Sequence, residues 1–121
     1  MPKQNLGSIE LQENDLITAG HSCVIKTMPV KSGINYPVGA CVEYDTTEKV
    51  FKPSVIGSSK NFIVAYPIDG TDETEVFAQL LLHGSINKDA VKKADSATDF
   101  TKWLDISYED YINLINNSNI V

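Results

Sequence analysis

Apolar residues in this chain come in short blocks, and most of the blocks carry the pattern of a strand. "HSCVIKTMPV" (21–30) is rich in β-branched residues, with Gly20 before it and Pro29 near its end, which favours a strand. "ACVEYD" (40–45) alternates, with Cys41 or Val42 facing inward. A turn then leads to a short strand over 49–52 and a break at Pro53. "NFIVAYPI" (61–68) is an almost unbroken apolar run, as in strands buried on both faces. "VFAQLLLHG" (76–84) fits either period; its place between a turn and Gly84 favours a strand. The "DGTDET" that joins these last two blocks reads as a turn, with Asp69-Gly70 as its signal.

Beyond Gly84 the pattern changes. "SINKDAVKKAD" has helical composition, with Ile86, Ala90 and Val91 on one face and Asn87 or Ser85 as N-cap. In "SYEDYINLINN", Ser107 and Asp110 form a weakened capping box. Tyr108, Tyr111, Ile112 and Ile115 make a stripe at i, i+3, i+4 and i+7, and Asn116-Asn117 supply a stop. "KADSATDF" is the linker candidate between the two helical patterns. Residues 1–15 are polar apart from Leu6, Ile9 and Leu11 and read as an extended arm; Ile9-Glu10-Leu11 alternates and can add to a sheet edge. The sum is an α+β, β-rich chain. It predicts a small mixed-sheet or barrel-like domain over 16–121, with six or seven short strands, one or two late helices and an N-terminal arm.

Composition narrows the function. The 121 residues fit one domain, and 42% apolar content suffices for an ordinary core. The net charge is −6 and the chain has no arginine. Arginine forks dominate base and phosphate recognition, so nucleic acid and anionic membranes are not expected partners. Cys23 and Cys41 each sit in an apolar run and read as small buried hydrophobes. A disulfide between them requires neighbouring strands of suitable geometry. No CxxC or Cys/His cluster suggests zinc, and no cofactor motif is present. No apolar stretch approaches the roughly 20 residues of a transmembrane helix. The first residues lack the apolar core of a signal peptide, so synthesis in a reducing cytoplasm is expected.

The candidate chemistry is sparse. His21 lies two residues from Cys23, and His83 stands beside Gly84. Nothing in the sequence completes a triad with either. Asp69, Asp72, Glu73 and Glu75 crowd the central turn, but their spacing does not match a calcium loop. A solvated connection between two buried strands is the simpler reading. The inventory favours a binding or structural protein over an enzyme.

Three pieces, in order, carry a family resemblance. They are "VKSGINYPVGACVEYD", then "NFIVAYPIDGTDETEVFAQLLLHGSIN", then "KDAVKKA". Together they span about Val30 to Ala94 and resemble the head decoration proteins of tailed phages, lambda type. The chain departs from them in its acidic tail and its lack of arginine. The resemblance implies a non-enzymatic homotrimer on the outer surface of an expanded capsid, bound to the major capsid protein and stabilising the shell. It also implies an N-terminal arm that is mobile when free and orders on the capsid, with Leu6, Ile9 and Leu11 as anchors. Such a protein is made in the host bacterial cytoplasm and ends on the virion.

Two other classes remain open from the residues. One is a small β-rich ligand- or carbohydrate-binding module with Tyr36, Tyr44, Tyr66 or Trp103 as a stacking platform. The other is a small enzyme built on His21, Cys23 or the acidic turn.

Overall fold

The computed structural model describes residues 23–118. Its centre is a closed barrel of five strands: β1 (Val24–Val30), β3 (Cys41–Asp45), β4 (Val50–Pro53), β5 (Phe62–Val64) and β7 (Val76–His83). They follow the order β1-β4-β3-β5-β7 and back to β1. The longest ladder is antiparallel, β1 with β7, from Val24↔His83 to Val30↔Val76. The β1–β4 contact is parallel, at Val30↔Phe51, so the sheet is mixed. Closure removes the free edges these strands would otherwise present. The fold is thus α+β and β-rich, as its patterning predicts.

Two smaller ribbons decorate the barrel. β2 (Asn35–Tyr36) pairs antiparallel with β6 (Ile68–Asp69). β8 (Lys92–Ala94) pairs antiparallel with β9 (Trp103–Asp105).

Neighbouring residues on the same strands join different hydrophobic clusters. Val30, Val42, Phe51, Val64, Val76, Ala78 and Leu80 form one cluster, to which all five barrel strands contribute. This is the barrel interior. Cys41, Ile63 and Leu81, each next in sequence to an interior residue, form the other cluster with Ile56, Ile86, Val91, Ile106 and Leu114. Since successive side chains point to opposite faces, this second cluster lies outside the barrel wall, under the C-terminal segment. Strands β3, β5 and β7 are therefore buried on both faces where the wall is covered. That is why "FIV" and "LLL" are continuous apolar runs rather than alternations.

The outer layer is held by α1 (Tyr108–Asn116). Nine residues are too few for a helix to be stable alone, so capping and docking must hold it. Asp110 N–H donates to Ser107 Oγ (3.1 Å), and Ser107 N–H donates to Asp110 Oδ2 (3.2 Å), completing the capping box. Ile106 just before the cap and Tyr111 both pack in the outer cluster, the arrangement of a hydrophobic staple. Lys93 Nζ donates to Asp110 Oδ2 at 2.7 Å, tying β8 to the same carboxylate. Partial burial raises the pKa of Asp110, but the bonds from Lys93 and Ser107 outweigh it and hold the carboxyl below its ordinary range.

A folded-state pKa below the unfolded value contributes stability above the unfolded pKa. That stability is lost as pH falls through the folded pKa. Asp110→Ala is expected to cost about 1–2 kcal/mol at neutral pH. In urea titrations the gap between wild type and variant should shrink as pH falls below about 3.8. A gap that stays constant with pH would show that the carboxylate's charge contributes nothing.

Several sequence expectations change. The described residues contain nine strands rather than six or seven. "KDAVKKA" is not a helix: Lys88–Ala90 is one 3-10 turn, capped by Asn87, whose side chain accepts from Asp89 N–H. The chain then runs straight on as β8. Lys92 N–H donates to Gly39 O and Ala94 N–H to Ser54 O. Val91 and Ala94 are fully buried, and this docking overrides helical composition. "KADSATDF" is not a linker, for it supplies most of β8 and the turn into β9, closed by Asp95 N–H to Lys102 O.

The run 61–68 splits into β5 and β6. Pro67 lacks an N–H and restricts the residue before it, and the ladder stops after Ala65 N–H meets Gln79 O. The short strand expected over 49–52 is Val50–Pro53, since Lys49 lies in the turn with φ of +60°. The helix stripe is rotated from its expected centre. Leu114 is the buried residue, whereas Tyr108 is 69% exposed.

Candidate functional site

The proposed arm anchors Leu6, Ile9 and Leu11 lie outside the described residues, as does His21. Cys23 is exposed and Cys41 buried, and both are free thiols. The expectation that both are buried thus fails for Cys23, which precedes β1 at the barrel rim. Burial pushes the Cys41 thiol pKa well up. His83 is exposed at the end of β7.

The acidic turn points its acids outward: Asp69, Asp72, Glu73 and Glu75 are all exposed. Asp69 Oδ1 accepts from Thr71 N–H (3.1 Å) and Thr71 Oγ1 (2.5 Å), which lowers its pKa. Gly70 is clamped from the other side, its N–H donating to Ile34 O and its carbonyl accepting from Gly33 N–H, both at 2.9 Å. The turn therefore belongs to the β2–β6 ribbon. Among the described residues no group of three His, Cys, Asp or Glu side chains converges to hold a metal ion.

The four candidate aromatics separate. Tyr36 is fully buried, its hydroxyl donating to Lys31 O at 2.7 Å. It is therefore core and cannot be a stacking platform. Tyr44 is exposed but leans on Phe51, ring centroids 5.2 Å apart. Tyr66 is half-buried. Trp103 is half-buried and oriented at two points: Nε1–H donates to Asn35 O (3.2 Å), and its ring lies 6.1 Å from that of Tyr36.

Beside Trp103 the surface is concave. A cleft of about 250 Å³ is bounded by Asn35, Pro37, Lys92, Thr101 and Trp103. A neighbouring cleft of about 520 Å³ shares Asn35 and Thr101 and adds Thr71, Asp99 and Phe100 to its lining. Asp99 Oδ1 accepts from Thr101 N–H (3.0 Å) and Thr101 Oγ1 (2.6 Å), repeating the geometry of Asp69 and Thr71. The sequence does carry a trace of this pair, as the tripeptides "DGT" (69–71) and "DFT" (99–101). Their convergence on one cleft has no sequence signal, because 27 residues lie between them.

A further surface feature is apolar. Phe77 on β7 pairs in register with Pro29 on β1. Phe77 faces away from the interior residues Val76 and Ala78 that flank it and is 48% exposed. Among the described residues, no helix is long and apolar enough to cross a membrane. Comparisons of the chain with protein-family profiles, with curated proteins and with solved structures find no match.

Proposed function

We propose that this chain is a structural virion protein that binds the outer surface of an expanded phage capsid as a homotrimer and stabilises the shell. The observation that carries the reading is Phe77, 48% exposed beside Pro29 on the barrel wall. The outer cluster covers the wall around Cys41, Ile63 and Leu81. The closed barrel has no sheet edge to extend, so a contact on the barrel itself is made through side-chain faces. A large exposed aromatic on a rigid strand is a natural centre for such a contact.

The ordered resemblance over Val30–Ala94 supports the same reading. So does the use of the carboxylates, since Asp45, Asp69, Asp99 and Asp110 each bond a neighbouring turn or cap. Three linked copies turn weak single contacts into a firm clamp, and an arm bearing Leu6, Ile9 and Leu11 supplies the grip on the major capsid protein.

Light scattering is expected to give three times the 13.3 kDa of one chain, and Phe77→Glu to shift that mass towards the monomer. Deletion of residues 2–15 should leave a folded trimer that no longer binds expanded capsids in a sedimentation assay. A monomeric wild type would refute the trimer, and capsid binding by the deleted form would refute the arm.

A further inference from the structure

The paired clefts beside Trp103 have a lining that selects among ligand classes. Their combined size falls in the range of roughly 300–1,000 Å³ typical of small-molecule sites. Two aromatic rings, Phe100 and Trp103, border them, each half-buried and packed on the barrel's inner cluster. The rest of the lining is mostly polar: Asn35, Thr71 and Thr101 supply amide and hydroxyl groups, Asp99 a carboxylate, and Lys31 and Lys92 the two ammonium groups. Asp99 holds the Thr101 turn through Oδ1, and those bonds lower its pKa, so it stays ionised at neutral pH.

The bordering cations are committed elsewhere. Lys31 Nζ bonds both oxygens of Glu48 (3.0 and 3.2 Å), and Lys92 Nζ bonds Asp105. With no arginine in the chain, the only counter-charges for a phosphate or carboxylate ligand are these two lysines, each already paired with a carboxylate. A wholly apolar ligand would strand the polar lining without partners. A ligand with one apolar face and a rim of hydroxyls fits both requirements.

We propose that these clefts bind a neutral pyranose oligosaccharide. One sugar ring lays its C–H face on Trp103, a neighbouring ring meets Phe100, and vicinal hydroxyls donate to Asp99 and to the hydroxyl oxygens of Thr71 and Thr101, whose own protons are held by Asp69 and Asp99. Asn35 serves the site twice, lining both clefts and orienting the indole through its carbonyl. The site is independent of the capsid reading, since it needs neither trimer nor arm.

Trp103 is the only tryptophan, so fluorescence excited selectively at tryptophan reports on this site alone in the full-length protein. Titration with cellobiose, maltose, lactose and chitobiose is expected to give a saturable change with at least one, with a Kd on the order of 1 mM. Asp99→Asn, which keeps size, and Phe100→Leu, which keeps an apolar side chain against the inner cluster, should each weaken that sugar about tenfold, followed by amide chemical shifts. Tyr44→Ala, on another face, should leave the affinity unchanged. The proposal is overturned if no sugar of the four responds up to about 50 mM, far above a millimolar Kd. It is also overturned if both cleft variants bind like wild type, or if inorganic phosphate gives the same response.

Discussion

Replacing Gly39 by alanine is expected to cost at least about 4 kcal/mol and to leave little folded protein at 37 °C. Gly39 lies where three parts of the chain meet. Its N–H donates to Val64 O (2.8 Å) at the end of β5, and its carbonyl accepts from Lys92 N–H (2.9 Å) at the start of β8. The backbone there has φ of +88°, which L side chains rarely adopt, and an added Cβ would stand 1.9 Å from the carbonyl oxygen of Ala90. That oxygen belongs to backbone in the 3-10 turn, so it cannot swing aside as a side chain tip could. Gly57 provides the control. It also has positive φ, at +54°, but open space around a new Cβ, and its alanine variant should lose only about 1 kcal/mol. Urea denaturation of the two variants checks the contrast. Equal losses would mean that backbone conformation, not the crowding against Ala90, sets the cost.

Truncating Leu80 and Leu81 one at a time is expected to cost about 3 kcal/mol each, although they are sequence neighbours on one strand. Both are fully buried. Leu80 fills the barrel interior with Val42, Val64 and Ala78, while Leu81 packs outside the wall against Ile63, Val91 and Leu114. On a strand with one wet face, only one of two adjacent leucines would matter. Because the two sites fall in separate clusters, the double variant should lose close to the sum. Calorimetry or urea midpoints would detect a failure: a loss below about 1 kcal/mol at Leu81 would show that the outer layer is not tightly docked on β7.

The strand blocks were legible because their signal is local. "CVIKTMPV", "ACVEYD" and "VFAQLLLHG" carry β-branched content or alternation, and each became a barrel strand. The capping box at Ser107 and Asp110 was equally plain, since one four-residue stretch contains all of its atoms. The apolar run 61–68 correctly implied burial on both faces at Ile63–Ala65, though not at Tyr66–Ile68. The candidate site was far less legible. Trp103 stood out as an aromatic, but Asn35, Thr71 and Asp99 are ordinary surface residues until the ribbons bring them together.

The sequence by itself determined that this chain is a β-rich domain closed by a capped helix. Hydrophobic periodicity and caps act over a few residues and need no knowledge of partners. Only the tertiary structure decided that Tyr36 is core, that the helix turns Leu114 rather than Tyr108 inward, and that "KDAVKKA" leaves its helical preference to become β8. Each of those outcomes is set by what lies opposite in space. Helix propensities differ by less than about 1 kcal/mol per residue for all but proline. Burying Val91 and Ala94 and pairing β8 with Gly39, Ser54 and β9 outweighs that preference.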